Sequence, residues 1–127
     1  MAIWKLRSKR KSTGGRYHKS QKKKARHIGR DPVLTRVSDK IKMKILRTKG
    51  GNAKTSLRGT NVANLMINGK AKKTKINRVV ENSASRHFVR QNVLSKGAII
   101  DTPEGLAKVT SRPTQDGTIN AVLVKKK

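Results

Sequence analysis

The sequence predicts an all-β fold: a small antiparallel β-barrel-like domain, or a sandwich, preceded by a long basic N-terminal extension. From residue 41 onward, short runs of apolar residues alternate with polar ones, as in half-buried strands. Turn signals separate these runs about every ten residues, a spacing typical of small barrels and sandwiches. Before residue 31 there are twelve Lys and Arg and no acid. We therefore divide the chain into a basic extension, residues 1–35, and a β-barrel domain, residues 36–127.

The extension has too few apolar residues to form a core of its own. Ile3, Trp4, Leu6, Tyr17 and Ile28 are scattered along it, and burying them cannot offset the entropy lost on ordering the chain. Its cations also repel one another at helical spacing. We therefore expect the extension to be disordered in water and ordered on an anionic partner, with a short helix near residues 19–28.

The domain begins with the clearest alternation in the chain. Ile41, Met43 and Ile45 alternate with Lys42 and Lys44, which predicts a strand with one buried face. Later runs of apolar and β-branched residues predict further strands. The predicted strands cover residues 41–45, 54–58, 62–67, 72–80, 98–101, 106–110 and 119–124.

Glycine, proline and asparagine mark the connections between these strands. Asn68-Gly69 is the strongest hairpin signal, because both residue types readily adopt the positive φ of a type I′ turn. The Thr-Pro-Glu-Gly sequence at 102–105 predicts a second tight turn, and Asp-Gly at 116–117 predicts another hairpin. Residues 84–94 predict either a short helix or an irregular crossing.

The charge of the chain requires a polyanionic partner. Its 127 residues include 33 Lys and Arg against 6 Asp and Glu, a formal net charge of +27. Nucleic-acid phosphates supply counter-charge at this density, and the release of their counterions drives binding. We predict no membrane partner, because no apolar run could span a bilayer and no basic amphipathic helix could lie on one. The absence of cysteine excludes disulfides and thiolate metal sites.

The shortage of aromatic residues indicates which form of nucleic acid is bound. Single-strand binders stack bases on rows of aromatic side chains, whereas only Trp4, Tyr17 and Phe88 occur here. Binding of folded helices by charge and shape is therefore favoured. We interpret Phe88 as a core residue and leave Trp4 and Tyr17 open between a contact with the partner and a local contact.

No group of residues predicts catalysis, a metal site or a cofactor. His18, His27 and His87 are not spaced as metal ligands. Asp101 and Glu104 flank a proline in a predicted turn, which explains them without acid–base chemistry. No phosphate-binding Gly-Lys-Ser/Thr loop occurs. We therefore predict no catalytic residue, no metal, no cofactor and no small-molecule substrate.

The predicted contacts with nucleic acid are cationic or polar side chains from two regions. Residues 36–90 hold the excess charge of the domain, whereas residues 93–124 have three cations and three acids. These acids should point away from phosphate, because like charges repel across a low-dielectric interface. The predicted contacts of the extension are Lys5, Arg7, Lys9, Arg10, Lys11, Arg16, Tyr17, His18, Lys19, Lys22, Lys23, Lys24, Arg26, His27 and Arg30. Those of the domain are Arg47, Lys49, Asn52, Lys72, Lys73, Arg86, His87 and Arg90.

A series of motifs, taken in order along the chain, resembles one protein family. They are the opening Met-Ala-Ile-Trp, Gly-Gly-Arg at 14–16, Arg-Thr-Lys-Gly-Gly-Asn at 47–52, Val-Glu-Asn at 80–82, Arg-His-Phe at 86–88, Lys-Gly-Ala-Ile-Ile at 96–100, Arg-Pro at 112–113, Gln-Asp-Gly at 115–117 and Asn-Ala-Val-Leu at 120–123. Together they cover nearly the whole chain and resemble the S8e family of small-subunit ribosomal proteins in its short archaeal form. Ser83 and Thr114 depart from the proline and glycine that are common there.

The resemblance implies a structural constituent of the small ribosomal subunit, in the cytoplasm and beside neighbouring ribosomal proteins. It implies a β-barrel-like domain whose extension and one basic face clamp folded ribosomal RNA, without catalysis. The alternative is a DNA-binding architectural protein, because charge alone does not distinguish RNA from DNA. An RNA-modifying enzyme is disfavoured, because the sequence has no convergent acid–base or metal set.

Overall fold

The computed structural model describes residues 3–18 and 21–124. The chain divides into two compact units, and the boundary between them in the sequence falls between Pro32 and Val33. In the first unit, strand β1 (Ile3–Trp4) pairs antiparallel with β2 (Ile28–Gly29), which follows a 3₁₀ turn at Ala25–His27. The helix predicted near 19–28 is wrong for residues 21–28, and residues 19 and 20 lie outside the described part. Lysines and arginines repel one another at helical spacing there, without an apolar stripe to compensate.

The second unit is built mostly of β-strands, which confirms the predicted all-β class. Its strands are β3 (Arg36–Val37), β4 (Lys42–Arg47), β5 (Ala53–Thr60), β6 (Val62–Ile67), β7 (Lys70–Lys75), β8 (Arg78–Glu81), β9 (Ile99–Thr102), β10 (Gly105–Val109) and β11 (Asn120–Leu123). Two short helices, α1 (Arg86–Arg90) and α2 (Pro113–Asp116), and a 3₁₀ turn at Lys49–Gly51 complete it.

The strands of this unit form two sheets. The larger sheet has the order β7-β6-β11-β10-β9-β8, with β6 and β11 parallel and the other pairs antiparallel. The smaller sheet has the order β3-β5-β4. The predicted barrel is not confirmed, because no ladder in the described residues joins the edge strands β7 and β8 and closes the larger sheet.

The larger sheet is nevertheless strongly curled. The predicted strand 72–80 is two strands, β7 and β8, which lie at opposite edges of the sheet although only Ile76 and Asn77 separate them. So short a connection spans at most about 11 Å, and the two edges must therefore come close together at this point. The Asn77 N–H donates to the Asp101 carbonyl at 3.0 Å, which starts the pairing of β8 with β9.

The core fills the concave side of this curled sheet. Many of its buried residues alternate along the strands, as the period-two pattern predicts, and the others lie in the segments just before β8, β9 and β11. The buried residues of the core are Leu57, Ala63, Leu65, Ile76, Val79, Leu94, Ala98, Ile100, Ala107, Val109, Ile119 and Ala121.

Strand β4 is the main departure from the predicted burial. Its existence is confirmed, but its predicted buried face is wrong: Ile41, Met43 and Ile45 are 60%, 58% and 73% exposed. Leu57 of the adjacent strand β5 reaches the core instead, and it is 2% exposed. Because β4 is the outer strand of the three-stranded sheet, its apolar face extends past the core.

The predicted turns are formed with one exception. Asn68 and Gly69 have φ of 48° and 80° and join β6 to β7, which confirms the hairpin. The turn at 102–105 joins β9 to β10, which is also confirmed. The hairpin predicted at 116–117 is wrong, because Pro113 starts helix α2 there and Gly117, at φ 75°, ends it as a left-handed cap.

Replacing Gly117 by alanine should destabilise the protein more than replacing Gly69. Both positions have positive φ, which costs an alanine about 1–2 kcal/mol. A Cβ at Gly117 would lie 2.6 Å from Thr55 Cγ2, whereas a Cβ at Gly69 meets nothing within 4 Å. Overpacking should therefore lower the free energy of unfolding by a further amount of about 1–3 kcal/mol in Gly117→Ala, but not in Gly69→Ala. Urea unfolding followed by circular dichroism measures both losses, and equal losses would refute the proposed close contact.

Candidate nucleic-acid interface

Most of the positive charge of this chain has no acidic neighbour. Among the described residues, only two ion pairs occur: Lys72 Nζ lies 2.6 Å from Glu104 Oε1, and Arg78 Nε lies 3.9 Å from Asp101 Oδ2. The other described Lys and Arg side chains therefore contribute to an uncompensated positive field over the surface. The arrangement suits a partner that brings its own negative charge.

The first unit presents its cations on a backbone held by a few local hydrogen bonds. The Lys5 N–H donates to the His27 carbonyl at 2.8 Å, next to the β1–β2 pair. Between these strands, a loop is closed by the Lys11 N–H to the Gly15 carbonyl at 2.7 Å and the Tyr17 N–H to the Lys9 carbonyl at 3.0 Å. Among the contacts predicted for the extension, every Lys and Arg side chain that the structure describes is exposed. Lys19 lies outside the described residues.

The two aromatic rings of the first unit are in contact with cations of the same unit. The Arg7 guanidinium lies 3.8 Å from the centroid of Tyr17, and Lys11 Nζ lies 5.7 Å from it. Lys23 Nζ lies 5.1 Å from the Trp4 ring. The sequence left Trp4 and Tyr17 open between a contact with the partner and a local contact. The structure shows the local contact, because both rings attract cations of the same unit by cation–π interaction.

Predicted contacts at the β4–β5 turn come together at one exposed loop. The Thr48 N–H donates to the Asn52 backbone carbonyl at 2.7 Å, and the Asn52 side-chain Nδ2 donates to the Lys49 carbonyl at 3.4 Å. The two intervening glycines both have φ of 75°, a conformation that side chains rarely adopt. Arg47, Lys49 and Asn52 are consequently exposed on a tight loop at the end of the hairpin.

Helix α1 gathers a second group of predicted contacts. Arg86, His87 and Arg90 are exposed on its single turn and a half, and Ser85 Oγ caps it by accepting from the His87 N–H at 3.2 Å. Phe88, predicted to be core, is only half-buried there and lines a cleft of about 160 Å³.

The two predicted contacts on β7 lie on opposite faces of the sheet. Lys73 pairs with Asn64 on the convex face, while Lys72 is opposite the core residue Leu65. The Lys72 ammonium then reaches Glu104, so that its charge is already partly compensated. The structure thus groups the predicted domain contacts at the turn and on α1, and separates those on β7.

The acids of residues 93–124 contact groups within their own unit. Asp101 and Glu104 take part in the two ion pairs, and Asp116 Oδ2 accepts from the Arg112 N–H at 2.8 Å. Exposed cations on β5 and β7 that the sequence analysis did not select also accompany the predicted set. They are Lys54, Arg58, Lys70 and Lys75. Strand alternation could have identified Arg58 and Lys75, since both neighbours of each are buried, whereas Lys54 and Lys70 have no buried neighbour in sequence.

The part of the chain that the structure describes contains no candidate metal site. No group of three His, Asp or Glu side chains that could hold a metal occurs in residues 3–18 and 21–124. The cleft beside Phe88 is lined without any carboxylate or imidazole. Within the same residues, no helix is long and apolar enough to cross a membrane.

Comparison with known proteins identifies the family. The sequence profile of the family described as ribosomal protein S8e matches residues 4–124. The chain belongs to the S8e family. Proteins named small ribosomal subunit protein eS8 are similar to it over 126 residues, with 98% of both chains covered: 50% identical in Methanococcus vannielii, 49% in Methanococcus maripaludis and 47% in Methanococcus aeolicus.

S8e membership confirms the predicted family and with it a ribosomal, non-enzymatic role. This conclusion rests on the profile match over nearly the whole chain. The relatives are archaeal and of almost the same length, which confirms the predicted short archaeal form. Ribosomal proteins of this kind are structural, non-enzymatic components.

Proposed function

We propose that this chain is a structural constituent of the small ribosomal subunit in the cytoplasm and that it clamps folded ribosomal RNA. Two regions would contribute: the basic extension, residues 1–35, and exposed cations of the domain, residues 36–127, which acts as a barrel-like support. Neighbouring ribosomal proteins would lie beside it. The observation that carries the proposal is the surplus of exposed cations: in the described residues only Lys72 and Arg78 approach a carboxylate.

Folded RNA suits the distribution of side chains better than single-stranded RNA. Binding of single strands needs open aromatic faces, but Tyr17 and Trp4 face cations of their own unit and Phe88 is half-buried. Lysine and arginine without aromatic platforms favour contacts with phosphates and shape recognition of helices. The exposed β4–β5 turn and helix α1 are the domain elements best suited to such contacts.

Two separate contact regions would act as a clamp, because each restricts the motion of the other on the RNA. The gain in affinity depends on effective concentration and requires no new contact. DNA phosphates would satisfy the same cations, so an architectural DNA-binding role remains the alternative by charge alone. Nothing in residues 3–18 and 21–124 favours DNA specifically, whereas the relatives are named for the small ribosomal subunit.

Removing residues 1–32 should leave the second unit folded and weaken RNA binding strongly. The cut belongs after Pro32, because Thr35 is 1% exposed and its hydroxyl donates to the Leu57 carbonyl at 2.7 Å. Losing the cations of the extension should reduce affinity for ribosomal RNA about 100-fold or more near physiological salt. Filter binding measures the affinity, and circular dichroism checks the fold.

High salt supplies the control for this truncation, because screening removes the phosphate contribution from both proteins. The difference in RNA affinity between the full chain and residues 33–127 should then become smaller. A truncated protein that is folded and binds within about threefold of the full chain near physiological salt would exclude the extension as a major contact.

Charge reversal distinguishes the proposed domain contacts from the balanced region. Arg47→Glu with Arg86→Glu should weaken binding of ribosomal RNA about tenfold or more, because two attractions become repulsions. Lys96→Glu with Lys108→Glu changes the net charge equally and should have a much smaller effect. All four side chains are exposed, so neither pair should unfold the protein. Equal losses of affinity in the two variants would contradict the proposed contacts.

A further inference from the structure

The most exposed apolar side chains of the second unit lie together on one strand. Ile41, Met43 and Ile45 are 60%, 58% and 73% exposed. Met43 and Ile45 lie on one side of β4, and Ile41 precedes the strand, whose ladder with β5 is irregular between Lys42 and Met43. Met43 is the register partner of Leu57, a core residue that is 2% exposed. The apolar layer of the unit therefore continues onto β4, where no described residue buries it. Leaving this much apolar surface in water is unfavourable.

The same strand has a free hydrogen-bonding edge. β4 pairs with β5 on one side only and is the outer strand of its sheet. In an antiparallel ladder, alternate residues direct their N–H and C=O groups away from the partner strand. About half of the six residues of β4 therefore offer a donor and an acceptor in strand register. An exposed edge of this kind is a template for an additional strand.

The opposite side of β4 restricts what can pair with it. Lys42 and Lys44 are exposed there, and neither takes part in an ion pair among the described residues. The hairpin from residue 42 to residue 58 has six cations and no acid. A second copy of this chain would place lysine beside lysine, which is unfavourable in a cross-strand pair. The edge therefore suits a strand with acidic residues on one face and apolar residues on the other.

We propose that β4 is the docking edge for an extended segment of a neighbouring protein in which acidic and apolar residues alternate. The segment would add a strand to the three-stranded sheet. Its apolar side chains would pack beside Ile41, Met43 and Ile45, and its acids would pair with Lys42 and Lys44. RNA fits less well: its phosphates could pair with Lys42 and Lys44, but its backbone does not supply alternating donors and acceptors in strand register or cover apolar side chains. The proposal does not depend on the RNA contacts described above.

A synthetic peptide tests the chemistry of this edge on the full chain. The probe is a blocked seven-residue peptide of alternating glutamate and valine, and amide chemical shifts of residues 42–47 are followed by NMR near physiological salt. Saturable shifts at these amides are expected. A peptide of the same composition, with its glutamates and valines in two blocks, should bind about tenfold more weakly, since it cannot place all acids on one face. Equal binding of the two peptides would overturn the proposal.

Charge exchange supplies a matched control. Lys42→Glu with Lys44→Glu should reverse the preference, so that a peptide with lysine in place of glutamate binds better than the original. Lys73→Glu with Lys75→Glu makes the same charge change on the edge strand β7 and should leave the preference for glutamate unchanged. If the β7 variant reverses the preference as well, the peptide responds to net charge and the proposed edge is wrong.

Cross-linking in assembled small subunits identifies the class of partner. A benzophenone amino acid in place of Ile45 should react with a polypeptide, and mass spectrometry should locate the adduct in a segment of alternating acidic and apolar residues. A benzophenone at Lys108 serves as the control position. Adducts with RNA at position 45, adducts with a segment of other composition, or no adduct at all would each overturn the proposal.

Discussion

Repulsion among 33 lysine and arginine side chains, opposed by only six carboxylates, constrains every part of this structure. The second unit tolerates it by separating charge from core: strand alternation turns its cations outward into water, where repulsion is weakest, and directs alanine and branched side chains inward. The first unit has no such core. Its backbone is held by a short strand pair and a closed loop, and three of its cations, Arg7, Lys11 and Lys23, lie near the rings of Tyr17 and Trp4.

The few acids contribute to the fold more than to the balance of charge. Asp116 accepts a hydrogen bond from the N–H of Arg112, which immediately precedes helix α2, and Glu104 links the turn after β9 to β7 by its ion pair with Lys72. Asp101 lies beside Arg78 at the start of β8. These contacts leave the exposed cations of the β4–β5 turn and of α1 without counter-charge. The surplus is therefore available to a polyanionic partner, and in a ribosomal protein ribosomal RNA is the expected source of that charge.

The features that were predicted correctly depend on local sequence. Val62–Ile67 and the Asn68-Gly69 turn could be predicted because alternation and turn chemistry act within a few residues. The division of residues 72–80 into β7 and β8 could not, because it follows from the curl of a sheet of which three strands, β9, β10 and β11, come later in the chain. The exposed face of β4 was missed for a similar reason: alternation shows that a strand has two faces, but not whether a neighbour covers one.

In the candidate interface, too, some features follow from local sequence and others depend on tertiary structure. The sequence predicts Arg47, Lys49 and Asn52 as separate contacts, and the structure brings them together at the β4–β5 turn. The ion pair of Lys72 with Glu104 joins residues that are 32 positions apart, so no local pattern could indicate it. Exposure of single cations could thus be predicted, whereas their grouping and compensation depend on tertiary structure.

The salt dependence of binding to ribosomal RNA tests the central claim, that phosphate neutralises this charge, most directly. Each phosphate that a cation neutralises releases counterions, so the logarithm of the binding constant falls linearly with the logarithm of salt concentration. If six or more phosphates are neutralised, the slope should be about −5 or steeper. A nearly flat dependence would mean that the exposed cations do not bind phosphate and would contradict the account.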